Sequence, residues 1–340
     1  MRTSDFDYDL PSENIAQRPA EPRDSSRLLI LHRKNGTIEH RTFTEILEYV
    51  NPGDMLVLNE TRVIPAKLAA KKIPTGGAAE LLLLQREDSR TWQVIVGGKG
   101  IGVGRKLSLK DGTTAEIIRD LGQARRLVRF DAPILERLES IGEVPLPPYI
   151  HQPLQSADEY QTVFARHPGS SAAPTAGLHF TEHLLEQIRS QGIQIAKVTL
   201  HIGLDTFAPI KSENPLDHPI HQEYCELSAA TAEQINRTNQ SGGMIFGIGT
   251  TTVRTLETAR RQAALGNRVG AFEGFTDLFI YPDYQIRSVD AILTNFHLPR
   301  SSVLLMISAF TGRERLLATY RKAIALNYRF YSFGDAMLIL

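Results

Sequence analysis

Residues 78–130 constrain the fold most, because several short strand patterns follow one another there and leave no room for helices between them. Two of these patterns flank Asp88-Ser89, and another pair flanks Asp111-Gly112. Asp-Gly between alternating segments is a strong signal for a tight β-hairpin. Short strands in such close succession predict a small antiparallel barrel or sandwich.

The rest of the chain alternates helix and strand patterns. Strands are predicted for MLVLN, IQIAKVTL, MIFGIG, DLFIY and AILTNF. Helices are predicted for TFTEILEY, residues 182–191, SAATAEQINRTNQ, TTTVRTLETARRQAAL and residues 313–326. This alternation is typical of a mixed or largely parallel sheet covered by helices. We therefore expect an α/β protein, with a large mixed-sheet domain formed by 1–62 and 152–340 and the small β domain inserted as residues 63–151.

Composition excludes several classes of protein. The 340 residues are 42% hydrophobic, which indicates a folded chain long enough for two domains. No run approaches the roughly 20 apolar residues that span a bilayer, and the acidic N-terminus lacks the apolar core of a signal peptide. A lone cysteine, Cys225, excludes a disulfide framework. These features predict a cytoplasmic protein that does not enter a membrane.

Net charge gives no signal for nucleic-acid binding, because 38 basic residues balance 38 acidic ones. Local groups of basic residues nevertheless occur at residues 18–34, 125–129 and 313–329. Such a group is usually a solvated face, and a binding surface for a phosphate backbone is the alternative.

The segment GSSAAPTAGLHFT, residues 169–181, is the first candidate for a ligand site. Its small residues surround one imidazole, His179, and let the backbone approach another group closely. Thr181 has the character of a helix N-cap, and a helix N-terminus suits a polar or anionic ligand. The alternative is a connecting loop that packs a histidine. Candidate binding residues here are Ala176, Gly177 and Thr181.

A second candidate is the segment GIGTTTVRTLE, in which a strand, Gly249 and a helix follow one another. Such a turn can hold a phosphate or nucleotide on backbone N–H groups through Gly249 and Thr250. It lacks the third glycine and the later acidic residue of a dinucleotide fingerprint. Arg254, one turn into the helix, can face a carboxylate, or it can be a surface arginine.

Further histidines lie at predicted strand ends, where ligands bind in α/β sheets. His201 follows one strand and His297 follows another. The segment DHPIHQEYCEL brings His218, His221 and Glu223 close in sequence, which allows a metal site as an alternative. Pro219 breaks a helical arrangement of these side chains, and no HExxH pattern is present. Near the terminus, YRFYSFGDAML combines aromatic residues typical of a core with Asp335.

These segments, taken together, resemble one family. PTAGLHFT, LHIGLDTF, HPIHQEY, GIGTTTVRTLE, TNFHLPRSS and YRFYSFGDAMLI occur in the order typical of S-adenosylmethionine:tRNA ribosyltransferase-isomerases of queuosine biosynthesis. IAQRPAEPRDSSRLLIL, GDMLVLNETRVIPAKL and VPLPPYI extend the resemblance from about residue 4 to the C-terminus. The chain departs from the family pattern at Asp205, where a glycine is expected, and at Glu60, where aspartate is more usual.

The resemblance implies an enzyme that transfers and isomerises the ribosyl group of S-adenosylmethionine. The acceptor is 7-aminomethyl-7-deazaguanine at the wobble position of tRNA, and the products are epoxyqueuosine-tRNA, adenine and methionine. It also implies a large α/β domain with an inserted β-barrel, and no metal or cofactor beyond S-adenosylmethionine as co-substrate. We expect a monomer whose partners are these two substrates.

Site residues follow from the motif positions. Proton transfer is assigned to a set of histidines with two supporting carboxylates: His179, His201, His221, His297, Glu223 and Asp335. Binding of S-adenosylmethionine is assigned to Ala176, Gly177, Thr181, Gly249, Thr250 and Arg254, with Arg254 on the methionine carboxylate. The alternatives are a metal-dependent hydrolase that uses His218, His221 and Glu223, a non-catalytic RNA-binding protein built on the β-barrel, and a methyltransferase.

Overall fold

The computed structural model describes residues 1–203 and 209–340, so Asp205 lies outside the described residues. The chain forms two compact units. The larger contains Met1–Thr61, Pro148–His167 and Ala173–Leu340, and the smaller contains Arg62–Pro147 and Pro168–Ala172. Residues 148–151, predicted with the insertion, belong to the larger unit. Tyr149 packs there against Tyr331, with ring centroids 4.6 Å apart.

The strands are numbered in chain order. Those of the first half are β1 (Arg27–Leu31), β2 (Ile38–Thr42), β3 (Met55–Asn59), β4 (Thr61–Val63), β5 (Lys67–Ile73), β6 (Ala78–Arg86), β7 (Thr91–Gly97), β8 (Lys106–Leu109), β9 (Thr114–Asp120) and β10 (Arg125–Phe130). The others are β11 (Gly142–Glu143), β12 (His167–Ser170), β13 (Gln194–Leu200), β14 (Glu223–Leu227), β15 (Ile245–Ile248), β16 (Phe272–Thr276), β17 (Ala291–Asn295) and β18 (Ala336–Ile339).

The α-helices of the described residues are α1 (Leu138–Ile141), α2 (Glu182–Ser190), α3 (Ala229–Gln240), α4 (Thr250–Arg260), α5 (Ser302–Thr311) and α6 (Arg313–Ala325). The short 3-10 helices include Arg23–Ser25, Phe43–Glu48 and Thr175–His179. Thr181 caps α2 by accepting from the N–H of Leu184, as predicted. The helix predicted for TFTEILEY is a 3-10 helix, and Thr42 and Glu45 form a capping box at its start.

The larger unit is built on a nine-stranded sheet in the order β16-β14-β13-β3-β15-β17-β18-β1-β2. Strands β13, β3, β15 and β17 are parallel to their neighbours within this group, whereas β18 is antiparallel to β17. Side chains alternate between the two faces of each strand. On β3, Met55 and Val57 join the core that α3 to α6 cover, while Leu56 and Leu58 join the core that α2 covers.

The smaller unit is a closed antiparallel barrel. Its strands follow the order β5-β6-β7-β10-β9-β8, and β8 pairs back to β5. Closure leaves these six strands without a free edge. Trp92, Leu81 and Ile117 are fully buried in its interior. The predicted mixed sheet and the barrel are both confirmed, and the barrel replaces the sandwich alternative.

The strand predicted for DLFIY is wrong, because the strand lies in the five residues before it. The strand is Phe272–Thr276, which pairs with β14 throughout. After Thr276 the chain leaves the sheet, and Leu278 and Ile280 become buried in the helix-covered core. An apolar run can therefore fill a core without strand pairing. In the described residues no helix is long and apolar enough to cross a bilayer.

Candidate active site

A cavity opens at the carboxyl edge of the parallel strands in the larger unit. Ile202 follows β13, Gly249 follows β15, and Thr294 and Asn295 end β17; all of them line this cavity. Parallel strands end at the same edge, so residues distant in sequence meet there. This edge is where ligands bind in open α/β sheets.

The cavity is lined by apolar residues and by neutral polar groups. Its apolar lining is Ala173, Pro174, Ala176, Ile202, Phe296, Leu298 and Val303. Its polar lining is Tyr149, Thr175, Thr250, Thr251, Thr294, Asn295, His297, Ser301, Tyr331 and Ser332. Among the described residues that line it, none is Asp, Glu, Lys or Arg. Such a lining suits a ligand with a flat apolar part and several hydroxyl or amino groups.

Asn59, at the end of β3, ties three elements of this edge together. Its amide donates to the Leu200 carbonyl at 3.0 Å and to Thr251 Oγ1 at 3.2 Å. Its Oδ1 accepts from the N–H of Leu200 at 3.0 Å and of Thr61 at 3.1 Å. Because Asn59 is buried, these bonds satisfy the amide and fix the start of α4 against the end of β13.

The turn between β15 and α4 depends on Gly249. This residue has φ +88° and ψ 154°, a conformation that is essentially restricted to glycine. The first N–H groups of an α-helix have no partner within the helix, and they carry partial positive charge. Gly249, Thr250 and Thr251 line the cavity, so the N-terminus of α4 offers N–H donors to an anionic part of a ligand.

His297 is the one predicted histidine that lines the cavity. Its Nε2 lies 2.6 Å from Thr294 Oγ1, and its backbone N–H donates to the Tyr320 hydroxyl at 3.1 Å. Tyr8 donates its hydroxyl to the His297 carbonyl. Burial lowers the pKa of His297 to about 3, so the ring is neutral near pH 7. The neutral imidazole has one unprotonated nitrogen, although burial makes it a weaker base than a histidine in water.

His179 is buried beside the cavity and has both ring nitrogens occupied. Nδ1 lies 2.8 Å from Ser26 Oγ, and Nε2 lies 3.2 Å from Asn295 Nδ2. The ring stacks on Phe43, with centroids 4.9 Å apart and planes at 25°. Burial, followed by the nearby charges of two arginines, lowers the pKa of His179 to about 3. It therefore contacts a cavity residue and does not line the cavity itself.

His201 is adjacent to the cavity residue Ile202. Its Nδ1 lies 2.8 Å from Thr61 Oγ1, and its ring stacks on Tyr224 with centroids 5.5 Å apart. Burial and, to a smaller extent, the charge of His167 lower the pKa of His201 to about 4. The hydrogen-bonded, neutral rings of His179 and His201 thus lie next to residues of the cavity lining, to which His297 itself belongs.

Arg254 is buried inside the protein, where it meets a carboxylate of the protein itself. Its guanidinium pairs with Glu223 and donates to the carbonyls of Leu278 at 3.0 Å and Thr276 at 3.0 Å. Glu223 also accepts from the N–H of Gly203 at 2.8 Å. The exposed His221 contributes a carbonyl to the same arginine at 3.4 Å. Arg254 thus anchors α4 to the segment around β14 and β16.

Three other predicted residues have structural partners outside the cavity. Asp335 is 1% exposed and accepts from the N–H and guanidinium of Arg329 and from the N–H of Arg27. Thr181 donates its hydroxyl to Asp24 at 2.7 Å while it caps α2. A Cβ on Gly177 would lie 2.8 Å from Phe164, so this glycine is required by packing.

The predicted set is therefore divided by the structure. It brings Ala176, Gly249, Thr250 and His297 to the cavity, and it places His179 and His201 behind the cavity wall. Sequence reasoning missed Asn295, Thr294, Tyr149 and Tyr331. Thr294 and Asn295 lie in the strand segment just before His297, and a polar pair that ends a buried strand is the signal that identifies them. Glu60, where the family pattern more usually has aspartate, forms an ion pair with Lys197 at 3.0 Å.

Comparison with known proteins shows the family of this chain. A family model described as "Queuosine biosynthesis protein" matches residues 3–339. The chain belongs to this family. Among curated relatives, S-adenosylmethionine:tRNA ribosyltransferase-isomerase of Symbiobacterium thermophilum is 48% identical over 344 residues and covers 100% of both chains. The protein with that name from Clostridioides difficile is 47% identical over 343 residues, with 100% of both chains covered.

A solved structure of the same family has a similar fold. The crystal structure of S-adenosylmethionine tRNA ribosyltransferase from Thermotoga maritima has a TM-score of 0.58 and 37% identity. The match covers 99% of this chain and 100% of the other. The predicted family and fold class are confirmed, and none of these matches carries the name of a hydrolase or of a non-catalytic RNA-binding protein. Within residues 1–203 and 209–340, no group of three or more His, Cys, Asp or Glu side chains is arranged to hold a metal ion.

Proposed function

We propose that this protein is an S-adenosylmethionine:tRNA ribosyltransferase-isomerase. It would transfer and isomerise the ribosyl group of S-adenosylmethionine onto 7-aminomethyl-7-deazaguanine at the wobble position of tRNA. Membership of the queuosine biosynthesis family over residues 3–339 carries this proposal. Relatives with the corresponding enzyme name, 48% identical over their whole length, support it.

The cavity in the larger unit is the proposed binding site for S-adenosylmethionine. The N-terminus of α4, at Gly249 and Thr250, faces it and suits the methionine carboxylate. Tyr149 and Tyr331 line it and present aromatic rings, which attract a sulfonium by cation–π interaction. The hydroxyl groups of the lining suit a ribose, and its apolar residues suit a purine. The methionine carboxylate is therefore assigned to the N-terminus of α4 and no longer to Arg254, because Arg254 pairs with Glu223.

His297 is the proposed general base. The sulfonium acidifies the protons on the adjacent carbon, so a neutral imidazole in the cavity is able to remove one of them and start the rearrangement. In the rearrangement a ribosyl carbon forms a bond to the aminomethyl nitrogen of the acceptor, which loses a proton, while the C–N bond to adenine and the C–S bond to methionine break. The departing adenine takes up a proton from another group or from solvent. General acid or base catalysis of this kind contributes roughly 10²–10⁴ in rate.

The other predicted catalytic residues receive supporting roles. His179 and His201, which do not line the cavity, would hold its wall through their hydrogen bonds to Ser26 and Thr61. Glu223 and Asp335 would position chain segments through the arginines that they bind. His221 is exposed and lies outside the cavity lining, so we give it a role at the surface where tRNA approaches.

We further propose that the protein acts as a cytoplasmic monomer, needs no metal ion or other cofactor, and binds tRNA in which the target base leaves its stack. An enzyme that works on a nucleobase reaches it only after the base is extruded or already unpaired. Light scattering of the purified protein, alone and with tRNA, measures the molar mass, and we expect the mass of one chain alone and of one chain per bound tRNA.

Release of free adenine tests the proposed activity. The purified protein is incubated with S-adenosylmethionine and tRNA that carries 7-aminomethyl-7-deazaguanine, and adenine and methionine are quantified by chromatography. We expect both in equal amounts, only when the modified tRNA is present. A chelator should leave the rate unchanged. Formation of S-adenosylhomocysteine without adenine would show a methyltransferase and overturn the proposal.

A further inference from the structure

The amide of Asn295 occupies a distinctive position at the end of β17. It lines the cavity although the residue is only 2% exposed, and protein groups hold it from two sides. Thr175 Oγ1 donates to its Oδ1 at 2.8 Å, and its Nδ2 donates to His179 Nε2 at 3.2 Å. His179 Nδ1 in turn lies 2.8 Å from Ser26 Oγ. A chain of hydrogen bonds therefore fixes which side of the amide carries oxygen and which carries nitrogen.

The hydrogen-bonding capacity of this amide is only half used. A primary amide has two N–H donors and two acceptor lone pairs. Thr175 takes one acceptor site and His179 takes one donor, and these are the hydrogen bonds of this side chain to described residues. One donor and one acceptor remain on a group that borders the cavity. Both belong to one planar amide, whose adjacent oxygen and N–H groups are able to make a bidentate contact.

His179 is suited to hold this orientation. Its ring is kept neutral by burial, so only one nitrogen carries a proton. Because Nδ2 of Asn295 can only donate, Nε2 accepts from it and the ring proton is on Nδ1, within hydrogen-bond distance of Ser26 Oγ. Stacking on Phe43 restricts rotation of the ring. The imidazole and the amide thus hold each other in one hydrogen-bonding orientation.

We propose that Asn295 recognises the adenine base of S-adenosylmethionine through a bidentate hydrogen bond, and that His179 is the positioning residue that sets the amide for it. This inference rests on the proposed function. Adenine presents an amino donor next to a ring-nitrogen acceptor, and asparagine pairs with that edge through both amide atoms. The neutral, partly apolar lining around Asn295, including Phe296 and Ile202, fits a purine better than a phosphate.

Hypoxanthine is the base that discriminates this proposal from general shape recognition. It has nearly the shape of adenine, but a carbonyl oxygen replaces the amino group. A fixed amide then faces two acceptors on one edge of the base, or a reversed donor and acceptor on the other. The bidentate pair is lost in either case, and a good pair of this kind discriminates by about 10- to 100-fold.

The test compares the affinity of the full-length protein for S-adenosylmethionine and for its analogue with hypoxanthine, by calorimetry without tRNA. The wild type should bind the adenine compound about 10- to 100-fold more tightly. His179→Leu removes the acceptor and should reduce this ratio to below about threefold, whereas His179→Gln, which retains an acceptor oxygen, should restore part of it. His40→Leu is the control, because His40 is an exposed histidine of β2 whose Nδ1 lies 2.8 Å from the Tyr328 hydroxyl, and it should keep the ratio.

Each outcome has a separate meaning. A wild type that releases adenine but binds both compounds equally overturns the assignment of Asn295 alone. An unchanged ratio in His179→Leu overturns the positioning role of His179. If that variant does not fold, Thr175→Val removes the hydroxyl on the other side of the amide and should lower the ratio in the same way; an unchanged ratio there also overturns the proposal. A wild type that binds neither compound and releases no adenine overturns the proposed function and this inference with it.

Discussion

At the scale of single residues, the buried histidines explain the electrostatic character of the site. His179 and His297 have pKa values lowered to about 3 by burial, so both are neutral where the enzyme would work. Neutral imidazoles accept protons and hydrogen bonds, and they add no positive charge beside a sulfonium ligand. Proton donation to departing adenine therefore has to come from another group or from solvent.

Replacement of His297 by alanine should lower the turnover number by about 10²–10⁴, because the base would be lost. Adenine release under saturating substrates measures this effect. His183→Ala is the control, since His183 is exposed on α2, and it should keep the wild-type rate. In the wild type, titration of His297 should not reduce the rate above about pH 4. Equal rates for His297→Ala and the control would contradict the base assignment.

Acid should destabilise the protein between about pH 6.5 and pH 3. In that range His179 and His297 become protonated in the unfolded chain, whereas their lowered pKa values keep them neutral in the folded protein. The unfolded state then binds more protons, so the free energy of unfolding falls as pH falls. Each histidine contributes up to about 1.4 kcal/mol per pH unit. Urea unfolding at several pH values should give a shallower dependence for His179→Leu than for His183→Leu, and equal slopes would contradict the account.

At the scale of elements, α4 connects the cavity to the edge of the sheet. Its N-terminus borders the cavity, and one turn later Arg254 binds Glu223 on β14 and the carbonyls of Thr276 and Leu278. Glu223 extends the connection to Gly203, next to the cavity residue Ile202. A helix that forms part of a ligand site is thus held in place by a buried ion pair.

Arg254→Ala should lower the free energy of unfolding by about 3–5 kcal/mol, because Glu223 would be left buried without a counter-charge. Arg237→Ala is the control: Arg237 pairs with Glu233 on the exposed side of α3 and should cost below about 1 kcal/mol. Denaturant unfolding measures both. A variant Arg254→Ala that keeps its stability and loses affinity for S-adenosylmethionine would instead support the carboxylate role predicted from the sequence.

Element types were largely predictable, because each depends on a local pattern. Alternation and an Asp-Gly turn identified the barrel strands, and the N-cap at Thr181 identified the start of α2. The site was predictable only in part. Gly249 and His297 follow strands, so topology alone sends them to one edge. The pairing of Arg254 with Glu223 joins residues 31 positions apart and depends on tertiary packing that no local pattern records.

At the scale of the whole molecule, the net charge does not account for binding of tRNA. The formal net charge is zero, yet the proposed acceptor is a polyanion. Binding of tRNA then depends on local basic groups, such as those at residues 125–129 and 313–329, and not on the overall charge. Each phosphate that such groups contact releases condensed counterions.

Affinity for tRNA should therefore fall steeply with salt. For every phosphate contacted, the logarithm of the association constant should change by about −0.7 to −0.9 per logarithmic unit of salt. Filter binding or fluorescence titration between low and moderate potassium chloride measures this slope. An affinity for tRNA that does not change with salt would contradict binding through the phosphate backbone.

The most direct test of ribosyl transfer uses S-adenosylmethionine with one isotope in the ribose carbons and another in the methyl group. After incubation with tRNA that carries 7-aminomethyl-7-deazaguanine, the tRNA is isolated and both labels are counted. We predict that the ribose label enters the tRNA, that the methyl label leaves with methionine, and that His297→Ala suppresses the transfer. Methyl label in the tRNA, or ribose label that stays with the adenine-containing product, would contradict the account.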